Sequence, residues 1–136
     1  MRLFVDTGAF IALQDVSDGH HAAAVAFFES TPPGAGWLSS NFVVDEAITF
    51  LRRRIGHAAA AAYADSMLGT RLFDIISVDP AIERLAVEVF KRHKDKELSF
   101  TDCVTIALVR SMKMDGVFGF DSDFTSVGLR LFPAPR

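Results

Sequence analysis

Asp6 follows the apolar run Leu3-Phe4-Val5 and precedes the corner Thr7-Gly8, after which a second apolar run, Ala9-Phe10-Ile11-Ala12-Leu13, begins. That pattern predicts a buried strand ending in a tight turn into a helix. Ligands of open α/β sheets bind beyond the carboxyl ends of the strands, which is where Asp6 falls. Asp121 repeats the arrangement after Val117-Phe118-Gly119-Phe120. Glu46 lies three residues after Val43 and four before Phe50, on the apolar stripe of its helix with Ala47 and Leu51. The residues three and four ahead of it are Thr49 and Phe50, so no basic partner stands within a turn. Its neighbour Asp45 faces Thr49 and Arg52 and reads as a solvated surface acid. Asp102 comes three residues after Ser99, which fits a helix-capping role and a site role equally. It shares a side with Ile106 and Val109 on a helix that is apolar almost all round from Cys103 to Val109, and such a helix is buried. Asp123 reads first as a turn residue after a strand and ranks last among these acids.

Burying an unpaired carboxylate is costly, so an acid on an apolar face has a partner or a metal ion. Four carboxylates with no designated lysine or histidine point to hard cations, Mg²⁺ or Mn²⁺, which take oxygen ligands and keep several waters. Such ions hold a phosphodiester, lower the pKa of an attacking water and neutralise the leaving oxygen. They supply phosphate affinity without a basic surface. That matters here, because the formal charge is −3 and the pI about 5.7, whereas broad binding of duplex DNA calls for a basic protein. His20-His21 reads as a first-turn surface pair. No histidine, nor the single Cys103, has zinc-ligand spacing, and there is no Gly-rich phosphate cradle. Arg52-Arg53-Arg54 and Lys91-Arg92-His93-Lys94 read as cations at helix C-termini, where they meet the helix dipole.

The elements that must position these residues follow in order. At 136 residues, half of them hydrophobic and 13 of them Phe, the chain reads as one domain, 1–136, with a substantial core. Asp18 is the expected N-cap of a second helix, which Pro32-Pro33-Gly34 stops. Trp37-Leu38 is a short strand candidate. Ser39-Ser40-Asn41 offers a cap for a helix from Phe42 to about Arg54, Gly56 ends it, and an alanine-rich helix runs from about His57 to Leu68. Leu72–Val78 reads as a strand. Asp79-Pro80 starts a helix with Ile82, Leu85, Ala86, Val89 and Phe90 at helical spacing. Ser99 opens the next helix, through Met112, and Leu129–Phe132 is a final strand closed by Pro133. Strands alternating with helices predict an α/β protein, a three-layer α/β/α sandwich on a mostly parallel sheet. No apolar run approaches the roughly 20 residues of a membrane helix. The lone cysteine and the absence of a signal-peptide pattern point to the cytoplasm.

The ordered set Phe4-Val5-Asp6-Thr7-Gly8, Glu46 in its helix, Leu98-Ser99-Phe100-Thr101-Asp102 and Phe118-Gly119-Phe120-Asp121-Ser122-Asp123-Phe124 resembles the acidic motifs of PIN-domain nucleases, above all the VapC-type toxins of bacterial toxin–antitoxin pairs. The resemblance spans nearly the whole chain. It implies Mg²⁺- or Mn²⁺-dependent cleavage of RNA, a homodimer, and inhibition by a cognate antitoxin that fills the active-site groove. It further implies Asp6 and Asp102 as principal metal ligands, with Glu46 and Asp121 completing the site directly or through water, and is less definite about Asp123. Two other readings compete. One is a Mg²⁺-dependent phosphatase or phosphotransferase with Asp6 as nucleophile; the related dehalogenase-like motif wants a second Asp two residues on, where this chain has Gly8. The other is a non-catalytic RNA- or protein-binding module whose acids merely cap helices and turns.

Overall fold

The computed structural model describes residues 1–136. In chain order its elements are β1 (Arg2–Val5), α1 (Thr7–Gln14), α2 (His21–Ser30), β2 (Gly36–Ser40), α3 (Asn41–Ile55), α4 (His57–Gly69), β3 (Phe73–Ile76), α5 (Pro80–Arg92), α6 (Phe100–Ser111), β4 (Gly116–Phe118), α7 (Asp123–Ser126) and β5 (Leu131–Phe132). The strands form one sheet in the order β3-β2-β1-β4-β5, and every neighbouring pair is parallel.

The neighbouring strands β1 and β4 are buried from Leu3 to Val5 and from Gly116 to Phe118 because both faces of the sheet are covered there, whereas edge strand β3 carries the exposed Asp74. Register partners Leu3, Trp37 and Phe73 share one face, as do Val5, Phe118 and Phe132. On that face α2 lays Phe27 against Trp37, Phe118 and Phe132, and Phe28 against Trp37 and Phe73. The opposite face carries Phe4 and Val117, both fully buried. One continuous core of 30 buried residues runs through the layers, and the architecture is an α/β/α sandwich.

Local chemistry sets most of the boundaries. Ser40 caps α3 by accepting from the Val43 amide, and Asp79 caps α5 from the Ile82 amide with Pro80 in the first turn. Gly56, at φ +98°, closes α3 and opens α4 in a conformation that L side chains rarely adopt. Ser99 and Asp102 form a reciprocal capping box on α6.

Several expectations need correcting. Asp18 does not cap α2: that helix begins at His21 with His20 at its N-cap, and Asp18 instead accepts the His20 amide at 2.8 Å. β3 stops at Ile76 rather than Val78, because the Val78 amide goes to Asn41 Oδ1 at 2.9 Å. β4 ends at Phe118, and a short α7 follows that the sequence did not suggest. β5 begins only at Leu131, since Leu129 donates back to Phe124 across the Gly128 turn. On α5 only Ala86 and Val89 are buried, while Leu85 and Phe90 are exposed.

Candidate active site

β1 and β4 lie side by side, yet the chain leaves them in opposite directions: β1 leads through helices to β2, and β4 leads to β5 on the other flank. This is the topological switch point, where open α/β sheets form their ligand crevice. A cleft of about 380 Å³ occupies it, lined in part by Asp6, Glu46, Asp102 and Asp121. The four acids come from four separate places: the end of β1, the middle of α3, the first turn of α6 and the loop after β4. Asp123 does not line the cleft; it begins α7, and its amide donates to Asp121 Oδ1 at 2.9 Å. The turn-forming side chain after β4 is therefore that of Asp121. Asp45 is exposed and also outside the cleft.

Asp6 is held from several sides. Its amide donates to Phe118 O at 3.0 Å, extending the β1–β4 ladder by one residue. Beside it, the hydroxyl of the fully buried Ser39 donates to Val5 O at 2.8 Å. A Cβ on Gly119 would meet Asp6 Cβ at 3.2 Å, so a residue without a side chain lets the β4 loop approach the acid.

Asp6 is 6% exposed. Burial, then the nearby Asp102 and Glu46 carboxylates, push its pKa from the ordinary 3.8 up to about 7. The Thr7 and Gly8 amides pull the other way without closing a cap hydrogen bond on that side chain. Asp102 is shifted upward too, by burial first and then by Asp121 and Glu46, against the lowering effect of its bonds with Ser99. Its carboxylate accepts the Ser99 amide at 3.0 Å. Asp102 is therefore both a helix cap and a member of the cleft, the two roles that its sequence position left open.

The chemistry of these donors fits a hard divalent cation. They are carboxylates that repel one another, and the arginine that lines the same cleft, Arg54, is paired with Asp18 and Asp15 instead. Next to Asp6, the buried Thr7 Oγ1 has no hydrogen-bond partner. No trio of His, Cys, Asp or Glu side chains is preassembled into a metal cage.

Three further lining residues were not foreseen as part of the site. Arg54 reaches beyond the helix dipole: its Nη1 lies 2.8 Å from Asp18 and 3.6 Å from the buried Asp15. The Ser17 hydroxyl and amide, with help from Arg54, hold the Asp15 pKa below its usual value. His20 is exposed and His21 half-buried at the start of α2, and each makes a contact of its own. The His20 ring stacks on Phe120, with centroids 4.3 Å apart and planes 7° from parallel, whereas His21 Nδ1 lies 2.6 Å from Ala12 O. Phe50, expected in the core stripe of α3, is 40% exposed and forms part of the cleft wall beside Glu46. The only sequence signal for Arg54 was the basic run itself, which the helix dipole already explained.

With this fold and crevice in place, the family is clear: the chain belongs to the PIN-domain family, whose model matches residues 3–129. Within it the chain is a nuclease of VapC type. It is 36% identical over 126 residues to the 23S rRNA-specific endonuclease VapC20 of Mycobacterium tuberculosis, covering 93% of this chain and 94% of that one. It is 29% identical over 129 residues to a VapC ribonuclease of Archaeoglobus fulgidus, covering 92% and 80%. The crystal structure of the M. tuberculosis VapC20 toxin, described as cleaving the sarcin–ricin loop, superposes with a TM-score of 0.87 at 33% identity, over 93% of this chain and 95% of that one. VapBC2 of Rickettsia felis, solved on a promoter DNA fragment, shares the fold at a TM-score of 0.70 and 11% identity, covering 96% and 97%.

Proposed function

We propose that this protein is a divalent-metal-dependent endoribonuclease, acting as one domain and forming the toxin half of a toxin–antitoxin pair in the cytoplasm. The observation that carries the reading is the meeting of Asp6, Glu46, Asp102 and Asp121 at the β1/β4 switch point, with Asp6 raised to about 7 by burial and by its acidic neighbours. Asp6 and Asp102 are the principal ligands of Mg²⁺ or Mn²⁺, and Glu46 and Asp121 complete the site directly or through water. When bound, such an ion provides charge neutralisation for a phosphodiester and a lowered pKa for a water molecule. The chain's own contribution is to hold the acids with little freedom. Asp6 is fixed by the β1–β4 ladder and Asp102 by its capping box. Asp123 has no part in the site on this reading.

The relatives support RNA as the substrate, since they are named as an rRNA-specific endonuclease and as a ribonuclease. The VapBC architecture of the Rickettsia complex supports an antitoxin as partner. A cleft lined by carboxylates attracts cations, so the antitoxin is expected to place an Arg or Lys near Asp6 and Asp102. A homodimer belongs to the same reading, and the exposed Leu85 and Phe90 leave apolar surface on α5 for a second copy. No helix is long and apolar enough to cross a membrane. Family membership leaves the phosphotransferase alternative without support.

The deciding experiment is an RNA cleavage assay with Mg²⁺, Mn²⁺ or chelator, comparing wild type with Asp6→Asn. Cleavage by wild type with either metal, and by neither protein in chelator, is expected. Metal-independent cleavage, or full activity of Asp6→Asn, overturns the reading.

A further inference from the structure

Beside the acidic cleft lies a second and larger groove of about 690 Å³, between α2 and the C-terminal residues. The two share a wall. His20 and Phe120 line both, and they are the stacked pair described above. The character of the lining changes across that wall. On one side stand five acids, Asp18 among them, with Arg54; on the other the groove has no Asp or Glu and offers Ala23, Ala26, Phe27 and Leu131, with Arg136 also in its lining. His20 is exposed, and only one ring face is taken by Phe120. Its backbone is anchored as well: Asp18 accepts the His20 amide with Oδ1 at 2.8 Å and the Arg54 guanidinium with Oδ2 at 2.8 Å. The ring is therefore presented on a braced loop that loses little freedom on binding.

We propose that this groove seats a nucleobase flanking the phosphate held in the acidic cleft, with the His20 ring as its stacking partner. The inference rests on the nuclease reading and extends it to a residue that positions substrate. A strand whose phosphate sits among the acids must carry its next base away from them. The adjoining aromatic wall and apolar groove offer a base both a π-face and an uncharged enclosure, which is how proteins hold the splayed bases of single-stranded RNA. His20 makes no contact with the reacting atoms; it sets which nucleotide lies across the site.

The test uses single-stranded RNA with 2-aminopurine next to the cleavage site, whose fluorescence falls when the base stacks. It is read with Mn²⁺ on RNA whose scissile linkage is a non-hydrolysable methylene phosphonate, so that the phosphate is held and no cleavage occurs, for wild type, His20→Ala, His20→Phe and Ala26→Trp. Ala26 is exposed on α2, so a tryptophan there fills the groove without entering the core. Wild type is expected to quench the probe. His20→Ala and Ala26→Trp should lose most of the quench and bind about tenfold more weakly, within the range of one lost base–aromatic stack. His20→Phe should restore both. With Mn²⁺ and cleavable RNA, His20→Ala should raise KM by a similar factor and change kcat little, and it should no longer distinguish an abasic nucleotide at that position. If wild type cleaves RNA but both groove variants quench and bind as wild type does, the stacking proposal falls and the nuclease reading stands. If Ala26→Trp blocks association with the antitoxin while RNA binding is unchanged, the groove belongs to a protein partner and the proposal falls. A wild type that neither binds nor cleaves RNA overturns both.

Discussion

Asp45 and Glu46 are adjacent in sequence and belong to different environments. Asp45 is exposed, while Glu46 is half-buried in the cleft wall and acts on the titration of Asp6 and Asp102. Glu46→Gln should therefore lower RNA cleavage strongly, and Asp45→Asn should leave it within about twofold of wild type. Asp6→Asn and Asp102→Asn should each reduce it by roughly two orders of magnitude or more, and the double substitution should be little worse, because ligands of one site act as a unit. Parallel circular dichroism would show that the variants remain folded. Equal damage from Asp45→Asn and Glu46→Gln would refute the assignment of helix faces. Gly119→Ala provides a gentler probe. Its Cβ would press on Asp6 Cβ from 3.2 Å, so activity should fall even though the substitution adds no charge and removes no ligand.

The element most tightly bound to the site is α6. Seven consecutive residues, Cys103 to Val109, are buried, so the helix has no freedom to slide and its first turn is delivered to the cleft at a fixed place. Ser99 sets that turn by accepting from the Asp102 amide at 3.0 Å, and Asp102 returns a bond to the Ser99 amide. Ser99→Ala should cost about 1 kcal/mol of stability, the usual loss for an N-cap. It should also lower activity, because the Asp102 carboxylate loses half of its box. Asp102→Asn is expected to behave differently. The amide oxygen can still accept from Ser99, so stability should hold while cleavage is lost. Denaturant unfolding of the two variants, set beside their cleavage rates, separates capping from chemistry. If Asp102→Asn were instead as destabilising as Ser99→Ala, its charge would be acting mainly as a helix cap.

At the scale of the molecule, the four acids couple stability to pH and to metal. The folded-state pKa of Asp6 is raised to about 7 from 3.8. Between those values the folded protein binds more protons than the unfolded chain, so this group's contribution to stability is fully present below about pH 4 and is lost as pH rises through about 7. At roughly 1.4 kcal/mol per unit, the loss is on the order of 4 kcal/mol. Asp102, raised for similar reasons, acts in the same direction. In chelator, the melting temperature of wild type should therefore decline between pH 5 and pH 8 relative to Asp6→Asn, which lacks the titrating group. Adding Mn²⁺ at pH 8 should restore stability to wild type, by about 2.7 kcal/mol at a hundredfold excess over the dissociation constant, and should do little for Asp6→Asn. Melts that are flat with pH and unmoved by metal would mean that the acids do not share one binding site.

What the sequence by itself determined is what depends on near neighbours. The alternation of apolar strands with periodic helices marked a parallel α/β fold, and Ser40, Asp79 and Ser99 announced their helices because a cap bonds to amides two or three residues away. Asp6 was marked as a strand-end acid for the same local reason. The tertiary structure decided which acids meet. Asp6 and Asp121 are close only because the connection from β3 to β4 passes over β2 and β1 to the far side of β1, and no local pattern encodes that strand order. It also drew Arg54 to the loop carrying Asp15 and Asp18, laid His20 on Phe120, and turned Phe50 out of the core stripe into the cleft wall. The first two placements are set by contacts between residues more than a dozen positions apart, and periodicity cannot see that far. Asp123 shows the converse. Beside Asp121 in the chain, it ranks last among the acids on sequence alone, and the single turn of α7 sets it outside the cleft.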